Sequence, residues 1–238
     1  MANTDIKGVI FDYGGTIDSR GVHWSEIIWD GYKKAQVPVD KQQFRECYVF
    51  AERELAKTRH ILPEHNFLDL LRIKMNIELQ NLVDNDLLPK ACPVIEKAEE
   101  IAQYCYQAAK ESIEEARPTL EFVHDRMPMV LVSNFYGNVE TVLADFGLLH
   151  FFKKIVESAV VGVRKPDPKI FELGVEALGL KPEEVLVVGD SYKKDILPAL
   201  TLGCRTAWLK GKGWTAEEDA VTHPCQIEKL DQIRKHFV

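Results

Sequence analysis

Asp12 closes the apolar run Val9-Ile10-Phe11 and is followed almost at once by Gly14-Gly15. A carboxylate at the end of a short buried strand, with an abrupt glycine turn behind it, stands where backbone amides gather. Open parallel sheets bind ligands at the carboxyl ends of their strands, so this Asp is placed to attack an electrophile or to hold a metal. It could equally cap the turn. A second stretch repeats the pattern: Val185-Leu186-Val187-Val188 runs into Gly189-Asp190, and Asp195 follows where a helix should begin. Two such strands side by side bring Asp12, Asp190 and Asp195 to one sheet edge. Clustered carboxylates resist ionising together unless a cation sits among them. An oxygen-only set suits Mg²⁺, which takes a couple of carboxylates with waters and substrate phosphate.

Two further segments carry polar groups to the same kind of position. Met129-Val130-Leu131-Val132 ends in Ser133-Asn134, a hydroxyl and an amide that can donate to phosphoryl oxygens, although such a pair also serves ordinary turns. Lys165 precedes Pro166-Asp167-Pro168, and the two prolines stiffen the backbone that aims it. Taken alone, a Lys-Pro step is a solvated loop.

In this order the four segments resemble the haloacid dehalogenase (HAD) superfamily: Asp12 in DYGGT, Ser133 in LVSN, Lys165 in RKPDP, and Asp190 with Asp195 in GDSYKKD. The resemblance runs from Val9 to about Trp208, and its specific part excludes residues 20–116. It implies that Asp12 is the nucleophile, forming a covalent aspartyl intermediate that water hydrolyses. Ser133, with Asn134 beside it, would bind a phosphoryl oxygen, and Lys165 would neutralise charge on the nucleophile and the transferring group. Asp190 would hold Mg²⁺ with Asp12 and the backbone carbonyl of Gly14, supported by Asp195.

Gly14 departs from the pattern. Phosphatases of the superfamily carry a second Asp there, two residues after the nucleophile, as general acid and base. Glycine moves no proton, and general acid–base help is worth about 10²–10⁴-fold, or roughly 3–5 kcal/mol. An alkyl phosphate suffers that loss in full, whereas an acyl phosphate or phosphoanhydride leaves as a stable anion. Relatives that also lack the Asp include P-type ion pumps (Thr), phosphonatases (Ala, with a cap lysine forming a Schiff base) and dehalogenases (Tyr). Gly189-Asp190 argues for phosphoryl over halide chemistry. Lys33, Lys34, Lys41, Lys57 and Lys74 fall in the cap region and read as solvated helix faces. Tyr13 should pack away from the site, Asp18 should serve the hinge, and His23 or Glu26 could supply an acid from the cap. The reading is a Mg²⁺-dependent hydrolase of a small phosphorylated metabolite, impaired in acid catalysis. Its alternatives are a weak phosphate- and Mg²⁺-binding regulator, or an enzyme of carbon or phosphonate chemistry.

The elements that must position these residues predict an α/β fold: a Rossmann-like parallel sheet flanked by helices, with an inserted all-helical cap. Core residues are 1–19 and 117–238, and cap residues 20–116. In the cap, Trp24, Ile27, Ile28 and Tyr32 share a helical face, as do Phe44, Tyr48, Ala51 and Leu55. Pro63 restarts a helix carrying Phe67, Leu70, Leu71 and Met75, and a last helix from Pro93 stops before Pro118. Beyond it, Val139–Phe146, Ile170–Leu178 and Asp195–Leu202 read as helices, Ile155–Val161 and Arg205–Leu209 as strands, 211–226 as a loop, and Lys229–Phe237 as a short helix.

At 238 residues with a formal charge of -7, the chain can bury a full core and offers no basic footprint for nucleic acid or anionic membrane. A polar start, no spanning apolar run and five scattered cysteines without CxxC spacing predict a cytoplasmic protein with reduced thiols. Oligomeric state is not legible.

Overall fold

The computed structural model describes residues 5–212 and 215–237; the polar start at residues 1–4, and Gly213 and Trp214 of the expected loop, lie outside them. Strands β1 (Gly8–Phe11), β2 (Met129–Ser133), β3 (Lys154–Glu157), β4 (Val185–Gly189), β5 (Arg205–Leu209) and β6 (Gln226–Ile227) form one sheet in the order β3-β2-β1-β4-β5-β6. All its pairings are parallel. The apolar runs are what a sheet covered on both faces requires, and every residue of β1, β2 and β4 is buried. Alternation divides them. Ile10, Val130, Val132 and Val187 pack with Phe171 and Val175 of α7 (Lys169–Leu178), while Val9, Phe11, Leu131 and Val188 join the larger core on the other face.

Strand order reverses at β1, with β2 and β3 on one side and β4, β5 and β6 on the other. Such a switch point opens a crevice at the carboxyl end of the central strand, and Asp12 stands there.

Between β1 and β2 lie α1 (Trp24–Lys34), α2 (Lys41–Lys57), α3 (Phe67–Asp84) and α4 (Val94–His124), and α5 (Val139–Asp145) follows β2. Reciprocal capping boxes, Asp40 with Gln43 and Asn66 with Asp69, fix the starts of α2 and α3. The expected faces are buried: Ile28 and Tyr32 on α1, Phe44, Tyr48, Ala51 and Leu55 on α2, and Phe67, Leu70, Leu71 and Met75 on α3.

Several local expectations change. Pro118 stops nothing: α4 runs through it, because burial of Thr119, Leu120 and Val123 in the next turn outweighs one lost backbone hydrogen bond. The strand expected over Ile155–Val161 ends at Glu157. Its last residues form α6 (Ser158–Val161), where Val160 is exposed and contributes no sheet face. The helix expected from Asp195 begins as a wide turn over Tyr192–Ile196, with Ile196 N–H reaching back to Ser191 O at 3.3 Å, before α8 (Leu197–Thr201). The 211–226 segment contains a short helix, α9 (Ala216–Ala220), and the tail is a 3₁₀ helix over Leu230–Phe237. All five cysteines are free. Among the described residues, no helix is long and apolar enough to cross a membrane.

Candidate active site

Asp12 leaves β1 with its N–H bonded to Val188 O of β4 at 2.9 Å, so two central strands fix its backbone. Its carboxylate is gripped on both sides. Lys165 Nζ lies 2.5 Å from Oδ1, and Thr16 Oγ1 donates to Oδ2 at 3.0 Å. The same Nζ reaches Asp195 Oδ1 at 2.7 Å, and Asp195 Oδ2 accepts from Ser191 N–H at 3.0 Å. Thr16 Oγ1 also stands 3.5 Å from Asp190 Oδ1. Two glycines make this packing possible. Gly15, at φ +99°, lies against the Asp190 carboxylate, and Gly189 lies against the Asp195 side chain; a Cβ on either would collide with the acid it faces.

Asp12, Asp190 and Asp195 each offer an oxygen within 4.8 Å of the others. Among the described residues one ammonium, that of Lys165, pairs with this trio, and it touches Asp12 and Asp195. Burial, then the charges of Asp12 and Asp195, push the Asp190 carboxyl well above the usual range. Burial likewise raises Asp12 although Lys165 opposes it. Burial alone would lower Lys165, but Asp12 and Asp195 outweigh it and hold the ammonium above its ordinary value. Three carboxylates against one ammonium leave this all-oxygen cluster two positive charges short, a set that could bind a divalent cation such as Mg²⁺. A cavity of about 1130 Å³ opens over the trio. Ser133 reaches it from the end of β2, and Gly14 lines it with nothing within 4 Å of where a side chain would begin.

A family model of haloacid dehalogenase-like hydrolases matches residues 6–203, which include the whole carboxylate trio, Ser133 and Lys165. The chain belongs to this family of hydrolases. It is 33% identical over 91 residues to a phosphoserine phosphatase of Thermus thermophilus, an alignment covering 38% of this chain and 36% of the relative. It is 43% identical over 103 residues to haloacid dehalogenase-like hydrolase domain-containing protein 3 of Danio rerio, covering 43% of each. A glyceraldehyde 3-phosphate phosphatase of Pyrococcus furiosus is 43% identical over 60 residues, 25% of each chain. The chain thus spans less than half the length of these relatives. Among solved structures, the HAD-hydrolase YfnB of Bacillus subtilis, bound to magnesium, aligns over 98% of this chain and 99% of its own with a TM-score of 0.61 at 18% identity. A dehalogenase with an intermediate complex gives 0.62 at 15% identity, over 98% and 97%. At such identities the likeness is one of fold.

Other residues of this HAD-like hydrolase take definite places. Asn134 spends its side chain on the loop that carries Lys165, donating Nδ2 to Lys165 O at 3.1 Å and accepting from Lys165 N–H at 2.9 Å. Tyr13 is buried against Phe67 and Phe135, away from the cavity. Asp18 accepts from Gly15 N–H at 2.7 Å and from Trp24 Nε1–H of α1 at 3.0 Å, which places it at the entry to the helical insertion; burial pushes its carboxyl up to about 7. His23 lines the cavity, whereas Glu26 is held by Lys41 and Lys212.

Sequence reading missed two features. Thr16 was visible only as part of DYGGT, and its hydroxyl bridges Asp12 and Asp190. Lys74 read as a solvated helix lysine, yet it is buried, lines the cavity and pairs with Glu52 of α2. One signal was available: Lys74 falls three residues after Leu71 and four after Leu70, on the apolar face of α3.

Proposed function

We propose that this hydrolase is a Mg²⁺-dependent phosphatase acting on a small phosphorylated metabolite through an aspartyl-phosphate on Asp12. The observation that carries the reading is the grip on Asp12: one carboxylate oxygen on Lys165, the other on Thr16, beside an acid pair suited to a divalent cation. The phosphatases among its partial relatives support the substrate class.

Asp12 attacks phosphorus and the bond to the leaving oxygen breaks; water then cleaves the acyl phosphate, releasing phosphate and restoring the carboxylate. Lys165 keeps Asp12 ionised and steadies charge on the phosphoryl oxygens, and Ser133 donates to one of them. Asp12 and Asp190 would hold Mg²⁺, whose charge would offset the repulsion between the carboxylate and the phosphoryl group. Asn134 keeps Lys165 aimed. Gly14 supplies no proton, so turnover favours leaving groups that depart as stable anions.

The open space at Gly14 favours a second reading, a phosphate- and Mg²⁺-binding regulator with negligible turnover. Phosphonate chemistry through a cap amine is disfavoured, because Glu52 overcomes the effect of burial and holds the Lys74 ammonium well above its ordinary value. Acetyl phosphate and an ordinary sugar phosphate, each with and without Mg²⁺, separate these readings. Metal-dependent cleavage of acetyl phosphate with little cleavage of the sugar ester is the expected result. No cleavage of either transfers the weight to the regulator.

A further inference from the structure

The helical insertion presents one charged pair to the cavity that the chemistry at Asp12 does not use. Lys74 of α3, its side chain 6% exposed, pairs with Glu52 of α2, whose side chain keeps 37% exposure, and both line the cavity. The Lys74 ammonium lies 4.1 Å from the centroid of the Tyr48 ring, a further hold on its charge. Tyr136, three residues beyond Ser133, donates its hydroxyl to Glu52 at 3.0 Å and 3.3 Å. The pair is therefore anchored both in the insertion and in the loop that leaves the sheet beside the phosphoryl site. Behind it Glu78 is buried, accepting from Tyr32 O–H at 3.0 Å through one oxygen, while the other has no hydrogen-bond partner among the described residues.

The charges of Lys74 and Glu52 cancel, and that balance constrains what can sit against them. A ligand bringing net charge to this wall satisfies one member and takes that partner from the other: Lys74 is already buried, and Glu52 loses its remaining exposure once a ligand covers it. A ligand that is neutral overall, but rich in donors and acceptors, exchanges hydrogen bonds with both and strands nothing. Selectivity then comes from the penalty on the wrong charge class. Resting on the phosphatase reading above, we propose that the Glu52–Lys74 pair sets substrate charge. The group that carries the phosphate has no net charge of its own, being zwitterionic or hydroxyl-rich, and substrates built on anionic or cationic groups are rejected.

The test measures binding of four esters to the Asp12→Asn protein with Mg²⁺ by calorimetry, beside their hydrolysis by the wild type. O-Phosphoserine and glycerol 3-phosphate carry neutral alcohols, 3-phosphoglycerate an anionic one and phosphoethanolamine a cationic one. The neutral pair should bind about tenfold or more tightly than the charged pair. Glu52→Gln should transfer the preference to 3-phosphoglycerate, and Lys74→Gln to phosphoethanolamine. Equal binding of O-phosphoserine and 3-phosphoglycerate by the intact pair overturns the proposal, as does an unchanged rank order in Glu52→Gln or no binding of any ester. The comparison with the pair intact decides the matter even where a cap variant fails to fold. A binding order that follows charge, with no hydrolysis by the wild type of these esters or of acetyl phosphate, fells the phosphatase reading alone. Hydrolysis without a charge order fells the role of the pair alone.

Discussion

The Lys165 ammonium lies 2.5 Å from Asp12 Oδ1 and 2.7 Å from Asp195 Oδ1, with all three side chains buried. One cation thus balances the nucleophile and the acid that backs it. Removing it leaves two buried carboxylates facing each other, a loss of about 3–5 kcal/mol when a buried pair is broken. Lys165→Met should lose stability of that order at pH 8 and less as pH falls toward 4, because burial raises the Asp12 carboxyl and a protonated Asp12 needs no counter-charge. Urea unfolding at the two pH values checks it; equal losses would mean that Lys165 acts through packing alone.

Asp190 lacks the ammonium that its neighbours share. Its carboxyl is raised well above 3.8 by burial and by the charges of Asp12 and Asp195, so the folded protein holds a proton that the unfolded chain releases. Ionising it therefore costs stability as pH rises above the ordinary carboxylate range. Asp190→Asn should raise the melting temperature in EDTA at pH 8 and abolish the rise that Mg²⁺ gives the wild type. A variant still stabilised by Mg²⁺ would remove Asp190 from the metal site.

Gly14 lines the cavity with nothing within 4 Å of where a side chain would begin, so an acid can start there without a clash at its Cβ. Gly14→Asp should raise hydrolysis of alkyl phosphates by about 10²-fold while changing acetyl phosphate turnover little. An equal change on both substrates, or none on either, would show that proton supply to the leaving group does not limit the enzyme.

Glu78 is buried beneath the Glu52–Lys74 pair, and burial pushes its carboxyl from 4.5 up to about 7. The native state therefore takes up a proton between those values, and stability falls as pH rises through that window. Glu78→Gln should lose this pH dependence, gaining on the order of 3 kcal/mol relative to the wild type between pH 4 and pH 8. Parallel stability curves for the two proteins would contradict it.

The sheet was legible because Val9–Phe11, Met129–Val132 and Val185–Val188 are apolar runs that end in polar residues, and a doubly covered parallel strand has no other pattern to show. Position alone then brought Asp12, Asp190 and Asp195 together. Pro118 misled because local propensity says nothing about the packing of Leu120 and Val123 that carries α4 onward. Val160 and Val161 misled through β-branching, since exposure in α6 leaves no trace in residue type. Lys74 was hidden by the ordinary habit of helix lysines; its partner Glu52 lies on another helix, and such a tertiary pair has no sequence spacing to read.

The central claim is that Asp12 is the nucleophile of a metal-dependent phosphoryl transfer. The most direct test is phosphate release from acetyl phosphate by the wild type and by Asp12→Asn, each with Mg²⁺ and with EDTA, alongside circular dichroism of both proteins. The account expects release by the wild type with Mg²⁺ only, and none by a variant with an unchanged spectrum. Release by folded Asp12→Asn at the wild-type rate would contradict it.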